Sequence, residues 1–412
     1  MKKFAPRTFL GFPIGDDPED LAGQKDEKNK SGEKGIAIII ALFMIAVMTL
    51  FMADMQINAV VESEIATANR DNVKAEYIAK SGANLATFLL SVDLAIDLSV
   101  SEMGGDKIPV SDGPGDIWAQ LNNIPIGGET LDLMSQMTET FDLSKVADSA
   151  VLDQMKLFEG SFTINVTDES SRININYCGH VNRSQRKTCQ TFMKALMSCP
   201  AEKAFLDDKK LNSDELIGYI EDWIDDNNNA NENTGKSSES DAYSDRIPKV
   251  QPKNAPLDSL DEMRMIAGWD ADMQAVFSPF LTVYPVPYKE QQMSQFQVNF
   301  NTAPRELLNC LFPKATLDCA DKSAIFLNNR ADSAAASSSQ AVQQALSETF
   351  CADGEGSKYF TYRSDTYRVT VEATAGDQRK RLNLIVGRRL PDDQDTKNNY
   401  RSAYKYLYWK MM

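Results

Sequence analysis

Nineteen consecutive uncharged residues, Gly35 to Ala53 (GIAIIIALFMIAVMTLFMA), constrain this chain more than anything else in it. As a helix rising about 1.5 Å per residue they span roughly 28 Å, close to the hydrocarbon thickness of a bilayer. Beyond the run, Ile57, Val61, Ile65 and Ala68 recur at helical spacing. One long helix is therefore predicted over residues 36–90, membrane-spanning at 36–55 and amphipathic afterwards. A cleaved signal peptide fits poorly, because the run is too long and no small-x-small site with a break follows it. A plain membrane anchor remains open on composition alone.

The chain has 412 residues, room for two or three domains. Its net charge of −16 argues against nucleic acid as a partner, since phosphate neutralisation needs clustered Lys and Arg. The single histidine, His180, stands beside Gly179 and reads as a polar turn residue, which leaves little for a His-dependent catalytic or zinc site. Six cysteines, Cys178, Cys189, Cys199, Cys310, Cys319 and Cys351, all follow the apolar run. Proximity in sequence favours the pairs Cys189–Cys199 and Cys310–Cys319, with other connectivities and free buried thiols as alternatives.

Residues 1–35 read as a removable leader, polar and without sustained periodicity. Short helices are predicted near 116–122 and 144–156. A strand is clear at 160–168, where Phe162, Ile164 and Val166 alternate with polar neighbours. Helical signatures follow at 212–224, 259–267, 302–312 and 333–350, the first two opening on capping-box spacings. Alternation returns at 359–374 and 379–388 around the turn Ala375-Gly376-Asp377. One strand alone cannot hold a sheet, so 160–168 is expected to pair with 359–388, making the middle an insertion. The domains expected are a leader at 1–35, the helix at 36–90, a first sheet part at 91–170, an inserted helical domain at 171–355, a hairpin at 356–390 and a polar, aromatic tail at 391–412.

Several local stretches carry a resemblance. Glu33-Lys34-Gly35 before Ile36 resembles the processing site of type IV pilin-like precursors, cut after the glycine. The glutamate usual five residues into the mature chain is absent, since that position is Ile40. DESSRININ (168–176), IEDWIDDNNN (220–229), NAPLDSLDEMRMIAGW (254–269), FLTVYP (280–285) and VNFNTAPRELL (298–308) follow in order. Together they resemble the K-type minor pseudopilin of type II secretion systems. The resemblance covers about residues 33–390. It implies an α+β fold: a long N-terminal helix packed on a small antiparallel pilin-like sheet, with a large mainly helical domain inserted between strands. It also implies leader removal by prepilin peptidase, methylation, and an inner-membrane, single-pass protein with its large C-terminal part in the periplasm. The expected partners are other minor pseudopilins and the inner-membrane assembly platform, in a structural protein with no active site.

Asp222, Asp225 and Asp226 crowd a helix end before an Asn-rich loop that continues to Glu239, Asp241 and Tyr243. Hard cations take six to eight oxygens from such groups, although an acidic surface loop without metal has the same composition. The spacing is not that of an EF-hand, since Ala230 and Lys236 occupy the glycine and bidentate-glutamate positions counted from Asp225. The resemblance raises calcium as the ligand, one ion or two, held by Asp222, Asp225, Asp226, Glu239 and Asp241. Two other functions compete: a minor pilin of a type IV pilus, and a membrane-anchored, calcium-dependent periplasmic enzyme using paired carboxylates such as Asp225 and Asp226.

Overall fold

The computed structural model describes residues 30–103, 111–127, 160–248, 250–286, 295–312, 317–330, 336–352, 354–388 and 404–412. The expected leader, up to residue 29, and the helix expected at 144–156 lie outside them. By contacts the chain divides into two units, residues 1–67 and 68–412. In the first unit, helix α1 (Lys30–Met103) begins five residues ahead of Gly35, and its side chains from Gly35 to Thr67 are exposed. Among the described residues α1 is the one helix long and apolar enough to cross a membrane. The helix runs thirteen residues past the expected end at 90, because Val92 and Leu94 prolong the apolar stripe.

In the second unit α1 lies on an antiparallel sheet. Ala75, Ile78, Ala79, Ala83, Ala86 and Leu89 share one core with Phe162, Ile164, Val166, Val369, Val371 and Leu384. Small residues on the helix let its backbone approach the strands. Helix α2 (Ile117–Gln120) adds Trp118, edge-on to Tyr367 with ring centroids 5.4 Å apart. The sheet order is β1 (Pro125–Ile126), β2 (Ser161–Asp168), β7 (Thr366–Ala375), β8 (Gln378–Arg388), β9 (Tyr404–Met411). β2 and β7 pair in full register, Ile164 opposite Val371 and Val166 opposite Val369. The tail expected beyond the sheet instead supplies its last strand, β9 pairing with β8 across an irregularity at Ile385/Val386. Its Tyr404, Tyr406 and Tyr408 alternate as a strand requires, and this pairing covers an edge that β8 would otherwise leave open.

The described segments between β2 and β7 build a second, larger core on Tyr177, Phe192, Met193, Ile220, Trp223, Met273, Phe300 and Leu346 among others. Two short parallel pairs stitch it: β3 (Ile173–Asn174) with β4 (Leu281–Thr282), and β5 (Val298–Asn299) with β6 (Phe360–Thr361). Its helices are α3 (Arg183–Met197), α4 (Pro200–Asp208), α5 (Ser213–Ile224), α6 (Ala271–Phe277), α7 (Arg305–Leu311), α8 (Leu317–Asn328) and α9 (Ser339–Thr349). Leu260–Met265, expected as an α-helix, is a 3-10 helix.

The cysteine pairing departs from expectation. The bonds are Cys178–Cys189, Cys199–Cys310 and Cys319–Cys351, and among the described residues no cysteine is free. Cys189 lies inside α3, and ten residues of largely helical chain put Cys199 about 15 Å away, beyond the roughly 7 Å that a disulfide can bridge. Cys310 and Cys319 sit on the successive helices α7 and α8, and each bonds a more distant segment. Neighbours in sequence are thus the wrong partners once helices intervene.

Candidate functional site

The acidic loop starts from α5. Asn212 caps it, its Oδ1 accepting from the backbone of Asp214 (2.8 Å) and Glu215 (3.4 Å), and Leu216, Ile220 and Trp223 bury its apolar stripe. The helix stops at Asp225, whose backbone turns extended. Asp222 therefore stands in the last turn, where the helix dipole disfavours a carboxylate. Gly179 sits against this end: a Cβ on it would fall 2.5 Å from Ile224 Cβ and 3.1 Å from the Asp225 nitrogen. The loop then folds back, and the Asn231 backbone N–H donates to Asp222 Oδ1 (2.7 Å). Glu221, which sequence reasoning missed, ties the loop to α3: it accepts from Asn231 Nδ2 (2.6 Å) and Gln190 Nε2 (2.8 Å) and pairs with Arg186 (3.1 Å). Only its place beside the Asp222–Asp226 run marked it in the sequence.

Three of the five expected ligands lie near enough for their charges to interact. Asp222, Asp225 and Glu239 are all buried. Neither carboxylate oxygen of Glu239 has a hydrogen-bond partner. Burial, reinforced by the charges of Asp225 and Asp222, pushes Glu239 up to about 8. Burial pushes Asp222 to about 7 and Asp225 to about 6, with further repulsion from Glu221 on each. Asp241 does not join them: it is exposed and accepts from the Ser238 backbone (2.9 Å), holding the turn Glu239–Tyr243 that carries Glu239. Asp226 is exposed and, with Asp225, lines a cavity of about 80 Å³ that also touches Gly179 and Asn254. His180 is a turn residue as expected, its Nδ1 accepting from the Asn182 backbone (2.9 Å).

The donor set suits a hard cation. All three groups offer oxygen, all repel one another, and Glu239 points two buried acceptors at nothing. Asp222, Asp225 and Glu239 would hold such an ion, with Asp241 and Asn231 fixing the two arms of the loop. Bound there, calcium would supply the positive charge that lets these carboxylates stay ionised inside the fold. The carboxylates that already converge within 4.8 Å of one another lie elsewhere, in the pilin-like part.

Two of the stretches that carry the resemblance, DESSRININ and VNFNTAPRELL, contribute polar clamps. In DESSRININ, Glu169 is buried and accepts from Thr282, Arg172 (3.2 Å) and Arg368. Asn176 donates to the carbonyls of Leu257 and Val283 (3.0 Å each) and accepts from the Leu257 N–H (2.7 Å). Asp168 accepts from Thr302, Ser364 and Asn299 (3.1 Å for Asn299), joining the end of β2 to the inserted domain.

Residues 171–286 match the family described as type II secretion system (T2SS), protein K. The match falls within the inserted domain, from β3 to just past β4. One chain of the crystal structure of the GspK-GspI-GspJ complex, from the type 2 secretion system of enterotoxigenic Escherichia coli, shares the fold. The similarity has a TM-score of 0.50 at 14% identity and covers 84% of this chain and 99% of that one. No curated protein matches the sequence. The structural similarity shows a shared fold, and the family match lies inside the part of it inserted between β2 and β7. The match spans α5, the acidic loop and the Asn176 clamp.

Proposed function

We propose that the protein is the tip subunit of a type II secretion pseudopilus, nucleating its assembly with other minor pseudopilins. The carrying observation is the protein K domain placed between paired strands β2 and β7, behind an apolar N-terminal helix. Prepilin peptidase removes the leader after Gly35, and α1 then anchors the subunit in the inner membrane with the large domain in the periplasm. Three disulfides suit that oxidising compartment. Ile40 offers no acid to the amino terminus of a subunit above, which fits the topmost position in a filament. A bulky insertion could not repeat along a shaft. Its partners by this reading are pseudopilins of the GspI and GspJ kind and the assembly platform. Calcium in the Asp222–Glu239 loop stiffens a charge-repelled segment of the tip.

The test is the mass and N-terminal sequence of the protein from membranes, with and without an active prepilin peptidase, together with co-purification of the other minor pseudopilins. A mature chain starting at Ile36 and travelling with them is the expected result. A retained leader in peptidase-positive cells would sink the reading.

A further inference from the structure

The end of α1 meets the turn before α2 and the end of β8 in an unusually acidic spot. Asp93 and Asp97, one helical turn apart, face Asp112 and Asp116, with Arg388, Tyr367, Tyr404 and Asp168 as the other titratable groups near them among the described residues. Oxygens of Asp93, Asp112 and Asp116 lie within 4.8 Å of one another. Among the described residues these four carboxylates have one guanidinium, Arg388, beside them. Asp112 is the saturated one: it takes Arg388 in a two-point grip (3.0 and 2.6 Å), the Tyr367 hydroxyl (2.5 Å) and the Ser364 N–H (2.7 Å). Asp116 accepts from the Gly113 N–H (2.7 Å) through one oxygen. Asp93 is 7% exposed and its Oδ2 has no hydrogen-bond partner; neither has the buried Oδ2 of Asp97.

We propose that Asp93, Asp97 and Asp116 bind a divalent cation of Ca²⁺ size, with the Asp112–Arg388 pair as the fixed wall of the site. Neutralisation by protons alone serves poorly here. A proton neutralises one carboxylate at a time, whereas a hard cation satisfies the orphaned oxygens of Asp93 and Asp97 together. Oxygens of Asp93 and Asp116 lie within 4.8 Å of each other, so one ion can span them, and a wall of protein carboxylates suits Ca²⁺ better than Mg²⁺, which keeps several waters. Burial, reinforced by the neighbouring carboxylates and only partly offset by Arg388, holds Asp93 above the ordinary carboxylate range and pushes Asp97 to about 7. The site is separate from the Asp222–Glu239 loop and stands whether or not that loop binds calcium. An ion there would lock the end of α1 to β8.

The experiment uses the full chain in detergent, stripped with EGTA and melted with and without millimolar Ca²⁺. It is done in a Glu239→Gln background so that the loop does not contribute. A Ca²⁺-induced rise in Tm is expected in Glu239→Gln, absent with Mg²⁺ and lost when Asp93→Asn or Asp97→Asn is added. Both added variants should melt in EGTA no lower than their parent, because each removes repulsion. If Asp93→Asn fails to fold, the more exposed Asp97→Asn carries the test. A Ca²⁺ shift that survives Asp97→Asn would overturn the proposal. So would a Glu239→Gln protein whose Tm responds to acidification but not to Ca²⁺, which would mean protons alone occupy the spot.

Discussion

Gly82 on α1 lies so close to Val371 on β7 that an added Cβ would sit 2.5 Å from the valine Cγ1 and 2.9 Å from Phe162 Cδ2. Helix and sheet meet at that point because nothing projects from the helix there. Gly82→Leu should lower stability by about 2–3 kcal/mol through overpacking, outweighing the gain of roughly 1 kcal/mol in helix propensity. Chemical denaturation of the detergent-solubilised chain reads this directly.

The loop carboxylates predict a pH dependence with a definite sign. Glu239 rises from 4.5 to about 8 and Asp222 from 3.8 to about 7 on folding. The folded protein therefore holds protons that the unfolded chain releases, so stability falls as pH climbs from about 5 to 8. In EGTA the Tm should fall across that window. Glu239→Gln should flatten much of the slope, and saturating calcium should flatten it in the parent chain. A Tm that rises with pH in EGTA would count against the reading of the loop.

Asn176 satisfies three backbone groups on two segments at once. Asn176→Leu strands those buried groups at about 1–3 kcal/mol each, so a loss of about 3 kcal/mol or more is expected. Hydrogen exchange at the Leu257 amide should speed up well before exchange in β7.

The Cys199–Cys310 bond closes a loop with a sequence separation of 111 residues. Chain-entropy arguments put such a cross-link at about 4–5 kcal/mol. Cys199→Ser paired with Cys310→Ser should cost more stability than the double variant at Cys178 and Cys189, which are 11 apart. Denaturation of the two variants side by side checks the ranking, and peptide mapping under non-reducing conditions checks the connectivity itself.

What the sequence showed and hid follows from the range of each signal. The apolar run of α1, the alternation in β2 and the capping pattern of α5 are local, and each was readable. The β2–β7 pairing was inferred because a lone strand needs a partner. Disulfide pairing depends on where helices carry the cysteines, and neighbours in sequence misled. Strand β9 was hidden by the polar composition of the tail, since an edge strand buries little. At the loop, Asp222, Asp225 and Glu239 were recognised by type, but their separation from the exposed Asp226 and Asp241 depends on how the chain doubles back through Asn231. The acidic group near Arg388 draws on α1, a turn and β8, and no single stretch displays it.

The insertion between β2 and β7 also sets an order of events during synthesis. β2 leaves the ribosome long before its partner exists, and until then its edge is an open template for other chains. Searching for β7 across an unfolded middle would be slow, because contacts so distant in sequence are kinetically expensive. A middle that folds first removes the difficulty. Its two ends already touch, the Asp365 N–H donating to Ser170 Oγ at 3.2 Å. For the sheet, the finished domain is then no more than a tight turn, and β7 arrives beside β2 in register.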